Sequence, residues 1–346
     1  MTLSDVFKRL RVDPYIAAIV LMVVLASIIP ARGVAATAMS GLTYAAIALL
    51  FFLYGARLPV ETIIQGLTHW RLQLTVFVST FVLFPILGLG FSHLFQPLLG
   101  TSLSTGLLFL CLLPSTVQSS IAFTSIARGN VAAALCSASI SNLLGIFISP
   151  LLVAVLLSTH GGGISVSSIK DIVLQLLVPF LAGQILRPWL KAFVTKHKFL
   201  LSFVDRGSIL LVVYTAFSEG VVNGIWTQID IQSLILLLVA NLILLVVVLC
   251  ITTIVSRRFG FSKEDEIAIV FCGSKKSLAS GIPIANVLFP AHLVGLMVLP
   301  LMLFHQVQLM ACATLARRYA KRPETPHSTA EPTLGTQPTS QQPQEP

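Results

Sequence analysis

Apolar residues run along this chain in continuous blocks separated by short stretches of Pro, Gly and charge. The blocks approach the roughly 20 residues that an α-helix needs to cross about 30 Å of hydrocarbon. Because they are continuous rather than alternating, they predict helices and not the strands of a barrel. Read against the punctuation, the pattern predicts spans at residues 15–30, 39–56, 72–95, 103–127, 131–157, 170–190, 206–223, 232–255, 265–289 and 291–316, with the fourth and ninth interrupted. The basic start and first apolar run share the layout of a secretory signal, but the run is long for one and more spans follow, so it reads as the first membrane helix.

Composition points the same way. Hydrophobic residues make up 55% of the chain and charged residues only 10%, against roughly 25% charged in a soluble domain. Lipid is therefore the expected solvent. The formal charge of +9 raises nucleic acid as a partner, but the basic residues stand at block ends and not interleaved with aromatics, so no nucleic acid is expected.

With the N-terminus placed inside, 18 of the 22 Lys and Arg fall in inner segments, only Arg32 and Lys170 fall outside, and Lys275 and Lys276 lie within a span. That bias is the one cytoplasmic loops carry. It predicts a multi-pass protein of the bacterial inner membrane with both termini cytoplasmic.

Five spans per half is an odd number, so related halves must enter the membrane in opposite directions, as an inverted repeat. The expected fold class is an all-α polytopic membrane protein of ten helices in two inverted five-helix repeats, with broken fourth and ninth helices. Its divisions are a cytoplasmic N-terminus (1–14), a first repeat (15–157), an outer linker containing Gly161-Gly162-Gly163 (158–169), a second repeat (170–316) and a Pro/Thr/Gln-rich tail (317–346) that reads as disordered. Cys111, Cys136, Cys250, Cys272 and Cys312 show no CxxC spacing and predict neither a disulfide framework nor a metal centre.

Candidate chemistry gathers at the two interruptions. The fourth span gives way to Pro114-Ser115-Thr116-Val117-Gln118-Ser119-Ser120, where proline removes a backbone donor and hydroxyls compete for backbone groups. The ninth is weakened by Gly273, Gly281 and Pro283 around Ser274-Lys275-Lys276-Ser277. Opened backbone at membrane depth is tolerated where protein or a water-filled cavity satisfies it, and paired openings in two halves point to a binding site. The half-helix N-termini so created suit an anion.

Each serine alone is as readily a helix-packing residue. Two lysines inside a span are costly and read as functional, unless they snorkel from a shifted register. Ser137 and Ser141 share a face of the fifth span that looks onto the fourth-span break, with Asn142 beside them. Glu219 is a candidate gate or proton-linked group, or an interfacial acid. His305 and Gln308 lie within reach of the ninth-span break, where His305 is equally well a satisfied core histidine.

The segment from Phe271-Cys272 through Lys276-Ser277-Leu278 to Gly281-Ile282-Pro283, with Leu299-Pro300-Leu301 and His305 to Gln308-Leu309, resembles the bile acid:sodium symporter family (solute carrier family 10), in the divergent branch typified by its seventh member. The resemblance covers essentially all ten spans, with softer matches at Phe52-Leu53-Tyr54-Gly55 and Ala127-Arg128-Gly129-Asn130. It implies a core domain of spans 3–5 and 8–10, in which the broken fourth and ninth helices cross, and a panel domain of spans 1, 2, 6 and 7, with substrate in the crevice between them.

The resemblance also implies sodium ligands at Ser119 and Ser120 after the fourth-span break and at Ser137 and Ser141 in the fifth span. The family's acidic position is occupied here by Phe271 and its Gln position by Lys275, and its usual Pro-Gly-Gly is missing from the fourth-span break. Losing a carboxylate and gaining ammonium groups removes the negative field a Na⁺ site needs. Lys276, with Lys275, is therefore expected either to replace a sodium ion or to bind an anionic substrate directly.

The leading expectation is a secondary transporter of a small organic anion, with Na⁺ or H⁺ as the coupling ion and lipid as its surroundings. The alternative is a membrane-embedded regulatory or scaffold protein with the same fold and little flux. An intramembrane enzyme is disfavoured, because the chain carries no HExxH and no pair of intramembrane aspartates, and because Lys276 and Ser277 fall on different helix faces. The oligomeric state and the particular substrate are not written in the sequence.

Overall fold

A computed structural model describes residues 14–57, 69–158, 173–224 and 229–322. The predicted N-terminal segment, the triple-glycine linker and the tail beyond Arg322 lie outside these. Every regular element among the described residues is helical: α1 (Pro14–Ile28), α2 (Val34–Arg57), α3 (Trp70–Val78), α4 (Phe84–Cys111), α5 (Gln118–Ile126), α6 (Val131–Ser158), α7 (Val178–Lys196), α8 (Lys198–Val222), α9 (Ile231–Arg258), α10 (Lys263–Gly273), α11 (Leu278–Leu288) and α12 (Ala291–Ala320).

Two π-helical turns, Ser79–Leu83 and Val173–Leu177, precede α4 and α7. Each stands just before a proline, Pro85 or Pro179, near the start of the following helix. A proline cannot donate to the preceding turn and its ring crowds that turn's carbonyl, so a locally widened helix is a natural accommodation.

Among the described residues, seven stretches are long and apolar enough to cross a membrane: Val34–Arg57, Trp70–Cys111, Val131–Leu157, Phe199–Val222, Ile231–Arg258, Lys263–Leu288 and Ala291–Ala320. The second has 42 residues, about 63 Å at 1.5 Å per residue and roughly twice the hydrocarbon thickness. Gly100, at φ 75° and ψ 172°, leaves helical geometry inside it, so two runs of helix meet there at a tight corner that only glycine adopts readily.

Large apolar side chains point outward from most helices, among them Ile28, Leu94, Ile185, Phe203 and Met310. Many serines and threonines, Asn241, Gln308 and two lysines lie within. An apolar exterior around a polar interior is what a lipid solvent selects. With several apolar helices of spanning length, the chain is an integral multi-pass membrane protein.

Helix α2 packs along α7, and α8 packs against α1 and α2. A Cβ at Gly55 would meet the Phe180 carbonyl, and one at Gly183 would meet the Phe52 carbonyl, so the α2–α7 contact relies on a glycine from each side. Helices α4, α9 and α12 pack together, the short α5 and α10 both pack on the long α6, and the short α11 packs on α12. The start of α10 is fixed by its own sequence. Ser262 caps it through the Asp265 N–H, and three acidic residues fill its first turn. Buried Glu266 accepts from Lys263 at 2.6 Å, Arg257 at 3.2 Å and the Tyr319 hydroxyl at 3.0 Å, tying α10 to α9 and α12.

Candidate functional site

Helix ends in two places at the centre of this packing, over residues 112–117 between α4 and α5 and residues 274–277 between α10 and α11. The two interruptions lie against each other: the Ser277 N–H donates to the Pro114 carbonyl at 2.8 Å. An α-helix leaves its last four carbonyls without intrahelical donors, so both breaks carry acceptors that must be satisfied out of reach of water.

At α10 the donors are serines. The carbonyls of Val270, Phe271, Cys272 and Gly273 accept from the hydroxyls of Ser274 (2.6 Å), Ser120 (3.1 Å), Ser115 (2.6 Å) and Ser79 (2.8 Å), respectively. Ser115 also donates its N–H to Ser141 Oγ at 3.0 Å, which pins the fourth-span break to α6.

At α4 the donor is an ammonium group. Lys276 Nζ donates to the carbonyls of Thr80 (2.9 Å), Cys111 (2.8 Å) and Leu113 (2.6 Å) and stands 4.1 Å from the centre of the Phe84 ring. The sequence explains why two of these carbonyls are available. The Phe84 N–H reaches back to Ser79 rather than Thr80, and Pro85, the next candidate donor, has no N–H. The Thr80 carbonyl is thereby left to the lysine. Likewise Pro114 offers no N–H after Cys111, and the Ser115 N–H is diverted to Ser141, which leaves the Cys111 carbonyl to the same ammonium.

Gln308 holds the backbone of Lys276 from both sides, accepting its N–H and donating to its carbonyl at 3.0 Å each, and donates 2.8 Å to His305 Nδ1. Lys275 turns the other way. Its Nζ donates to the Ser119 carbonyl at 2.8 Å and lies 4.1 and 5.3 Å from the ring centres of Phe123 and Phe271, a cation–π box. Both lysines are 0% exposed, so neither snorkels. Among the described residues, neither ammonium forms an ion pair; the acids Glu264 and Glu266 are taken up by Arg322, Arg257 and Lys263.

The structure thus brings Ser115, Ser119, Ser120, Ser141, Ser274, Lys275, Lys276 and Ser277 to one crossing. Ser277 caps α11 through the Ser280 N–H, and Ser280 donates to Asn142 Oδ1 at 2.9 Å. The Thr116 and Ser119 hydroxyls pair at 2.7 Å. Gln118 is exposed at the start of α5.

Ser137 lies a turn away from the break and donates to Gln73 at 2.8 Å. The four serines that the resemblance implied as sodium ligands are bonded to separate groups: Ser119 pairs with the Thr116 hydroxyl, Ser120 donates to the Phe271 carbonyl, Ser137 donates to Gln73, and Ser141 accepts from the Ser115 N–H. Glu219 is not at the crossing: it lines a separate cavity beside the α1–α2 turn. Sequence reasoning missed Ser79, Thr80 and Phe84. Their signal was available, since Pro85 follows two hydroxyl residues inside an apolar block.

Comparisons with known proteins identify the family to which this chain belongs. The model of the SBF-like CPA transporter family matches residues 13–321. An uncharacterized protein of Pseudomonas aeruginosa is 56% identical over 315 residues, covering 91% of this chain and 95% of that protein. An Escherichia coli protein named "Putative symporter YfeH" is 55% identical over 312 residues, 90% and 94% of the two chains. The sodium/bile acid cotransporter 7-A of Xenopus laevis is 29% identical over 318 residues, 89% and 92% of the two chains. The chain belongs to the SBF-like CPA transporter family.

Proposed function

We propose that this protein is a secondary active transporter of a small organic anion, working by alternating access, in which Lys276 together with Lys275 stands where a coupling cation would otherwise bind. The observation that carries this reading is the three-carbonyl cage around Lys276 Nζ with no carboxylate in contact. Carbonyl oxygens at helix ends are the kind of ligand a hard monovalent cation takes at a broken helix, and here they are filled by a covalently attached charge. Two buried positive charges without an acid partner leave the crossing electropositive. That favours an anion as the transported solute.

In this reading the chain has ten spans with both termini cytoplasmic in the bacterial inner membrane, and two inverted repeats at 15–157 and 170–316. The core comprises α3–α6 and α9–α12, and the panel comprises α1, α2, α7 and α8. Helix pairing supports the repeat: α2 on α7 and α1 on α8 exchange with each other when each half is mapped onto the other. Relatives whose names give sodium and bile acid support an ion-linked carrier of an acid. The lysines argue that Na⁺ itself is dispensable here and that H⁺ is the coupling ion.

Purified protein in proteoliposomes, offered labelled organic acids under imposed Na⁺ or H⁺ gradients, tests this. Uptake is expected to persist when choline replaces Na⁺; a tenfold fall on that replacement would show that the lysines do not substitute for the ion. A second reading, a regulatory or scaffold protein with little flux, is favoured by one observation: the crossing is closed, with Ser115, Ser274, Lys275 and Lys276 all fully buried. Absence of uptake for every acid under every gradient would select it.

A further inference from the structure

A cavity with polar walls lies away from the crossing, where α1 ends, α2 begins and α8 ends. Two hydrogen bonds frame it. The Tyr214 hydroxyl donates to the Ile29 carbonyl at 2.8 Å, holding α8 to the end of α1, and the Thr43 and Thr215 hydroxyls pair at 2.9 Å, joining α2 to α8. Near these clamps a cavity of about 560 Å³ opens between the helices, within the range that holds small ligands.

Its lining is polar on both sides. Thr37 and Ser40 come from α2; Thr215, Ser218 and Glu219, spaced to share one face of α8, come from the other wall; Arg32 stands in the turn. Two observations mark it as a site rather than a packing gap. Ser218 is 2% exposed and its hydroxyl has no hydrogen-bond partner, whereas buried hydroxyls are nearly always paired. Arg32 and the Glu219 carboxylate line the same cavity, yet neither has an ion-pair partner among the described residues. Two opposite charges that share a cavity without pairing match a ligand carrying both signs.

We propose that this cavity binds a small zwitterion, its anionic group held by Arg32 and Ser218 and its ammonium by Glu219. Charge-assisted hydrogen bonds at each end would orient such a molecule and reject one carrying a single charge. The same chemistry is offered by a free amino acid or aminosulfonate and by the phosphoethanolamine headgroup of a lipid. This site is separate from the crossing, and its test reads binding rather than transport, so it stands or falls independently of the proposed carrier activity.

Thermal unfolding of the purified full-length protein in detergent should shift upward by several degrees with taurine or phosphoethanolamine. Acetate, inorganic phosphate and methylammonium should leave it in place. The shift should disappear in Arg32→Gln and Glu219→Gln and shrink in Ser218→Ala, with the ligand-free midpoints of the variants reporting that they remain folded.

In nanodiscs, a stabilisation by phosphatidylethanolamine over phosphatidylglycerol that depends on Arg32 and Glu219 would identify a lipid headgroup as the source. A soluble effect without a lipid effect would identify a free solute. The proposal is overturned if no zwitterion, soluble or lipid, shifts the midpoint, if a singly charged ion does as well, or if the shift survives both charge variants.

Discussion

At the end of α10, four successive carbonyls are satisfied by serine hydroxyls; at the end of α4, Cys111 and Leu113 are satisfied by the ammonium of Lys276. Both breaks present orphan acceptors in the interior of a membrane protein. A hydroxyl answers that need without changing the local field. An ammonium answers it and adds a charge that no neighbouring acid contacts, so the carbonyls at the α4 end face a full charge where those at the α10 end face only hydroxyl dipoles. The asymmetry teaches that two breaks of the same kind, each ending a helix in the interior, are satisfied by different chemistry.

The hardest test of this contrast is Lys276→Met. Removing the ammonium strands three carbonyls, each costing about 1–3 kcal/mol when buried and unpaired, so the variant should lose several kcal/mol, the largest loss of any substitution at the crossing. Because the cage would then be empty, its apparent thermal stability should rise with added Na⁺ or K⁺, while the parent protein shows no such response. A variant as stable as the parent in alkali-free buffer would show that the cage is not what holds the α4 end.

Lys275→Met should cost less, about 1–2 kcal/mol. Only the Ser119 carbonyl is stranded, and a thioether between Phe123 and Phe271 recovers part of the aromatic contact. Denaturation midpoints of the two variants, measured side by side, check the ranking. Equal losses would mean that the charges matter and the carbonyl cage does not.

Much of the helical pattern was legible because apolar blocks in lipid have few alternatives: the edges expected at 131–157 and 291–316 correspond to helices Val131–Ser158 and Ala291–Ala320. The breaks were legible too, since Pro114, Gly273 and hydroxyl runs are chemically conspicuous. The count was less so. Gly100 turns two runs of helix into one that reads as 42 residues, and a lone glycine before Thr101 gives no unambiguous sign of a corner.

What the sequence hid most completely was the cage. Main-chain carbonyls have no residue type, so nothing in the letters at positions 80, 111 and 113 announces an acceptor. Only the geometry, with Pro85 and Pro114 withholding N–H groups, makes the three available. For the same reason Ser137, four residues from Ser141 on one face, read as its equal at the break, whereas a glutamine on α3 claims its hydroxyl.

The smallest expected effect is also the most discriminating. Ser141 diverts the Ser115 N–H away from Cys111, the carbonyl that an ordinary helix would have given it. In Ser141→Ala that N–H returns to compete with Lys276 for Cys111, at a cost of about 1–2 kcal/mol. With Lys276 already replaced by Met there is no competitor, the returning N–H satisfies a stranded carbonyl, and the same substitution should cost little. A double-mutant cycle should therefore give a double variant more stable than the sum of the single losses by at least 0.5 kcal/mol or so. Strict additivity would mean that the α6 serine merely packs beside the break, and that the lysine holds the Cys111 carbonyl without help from it.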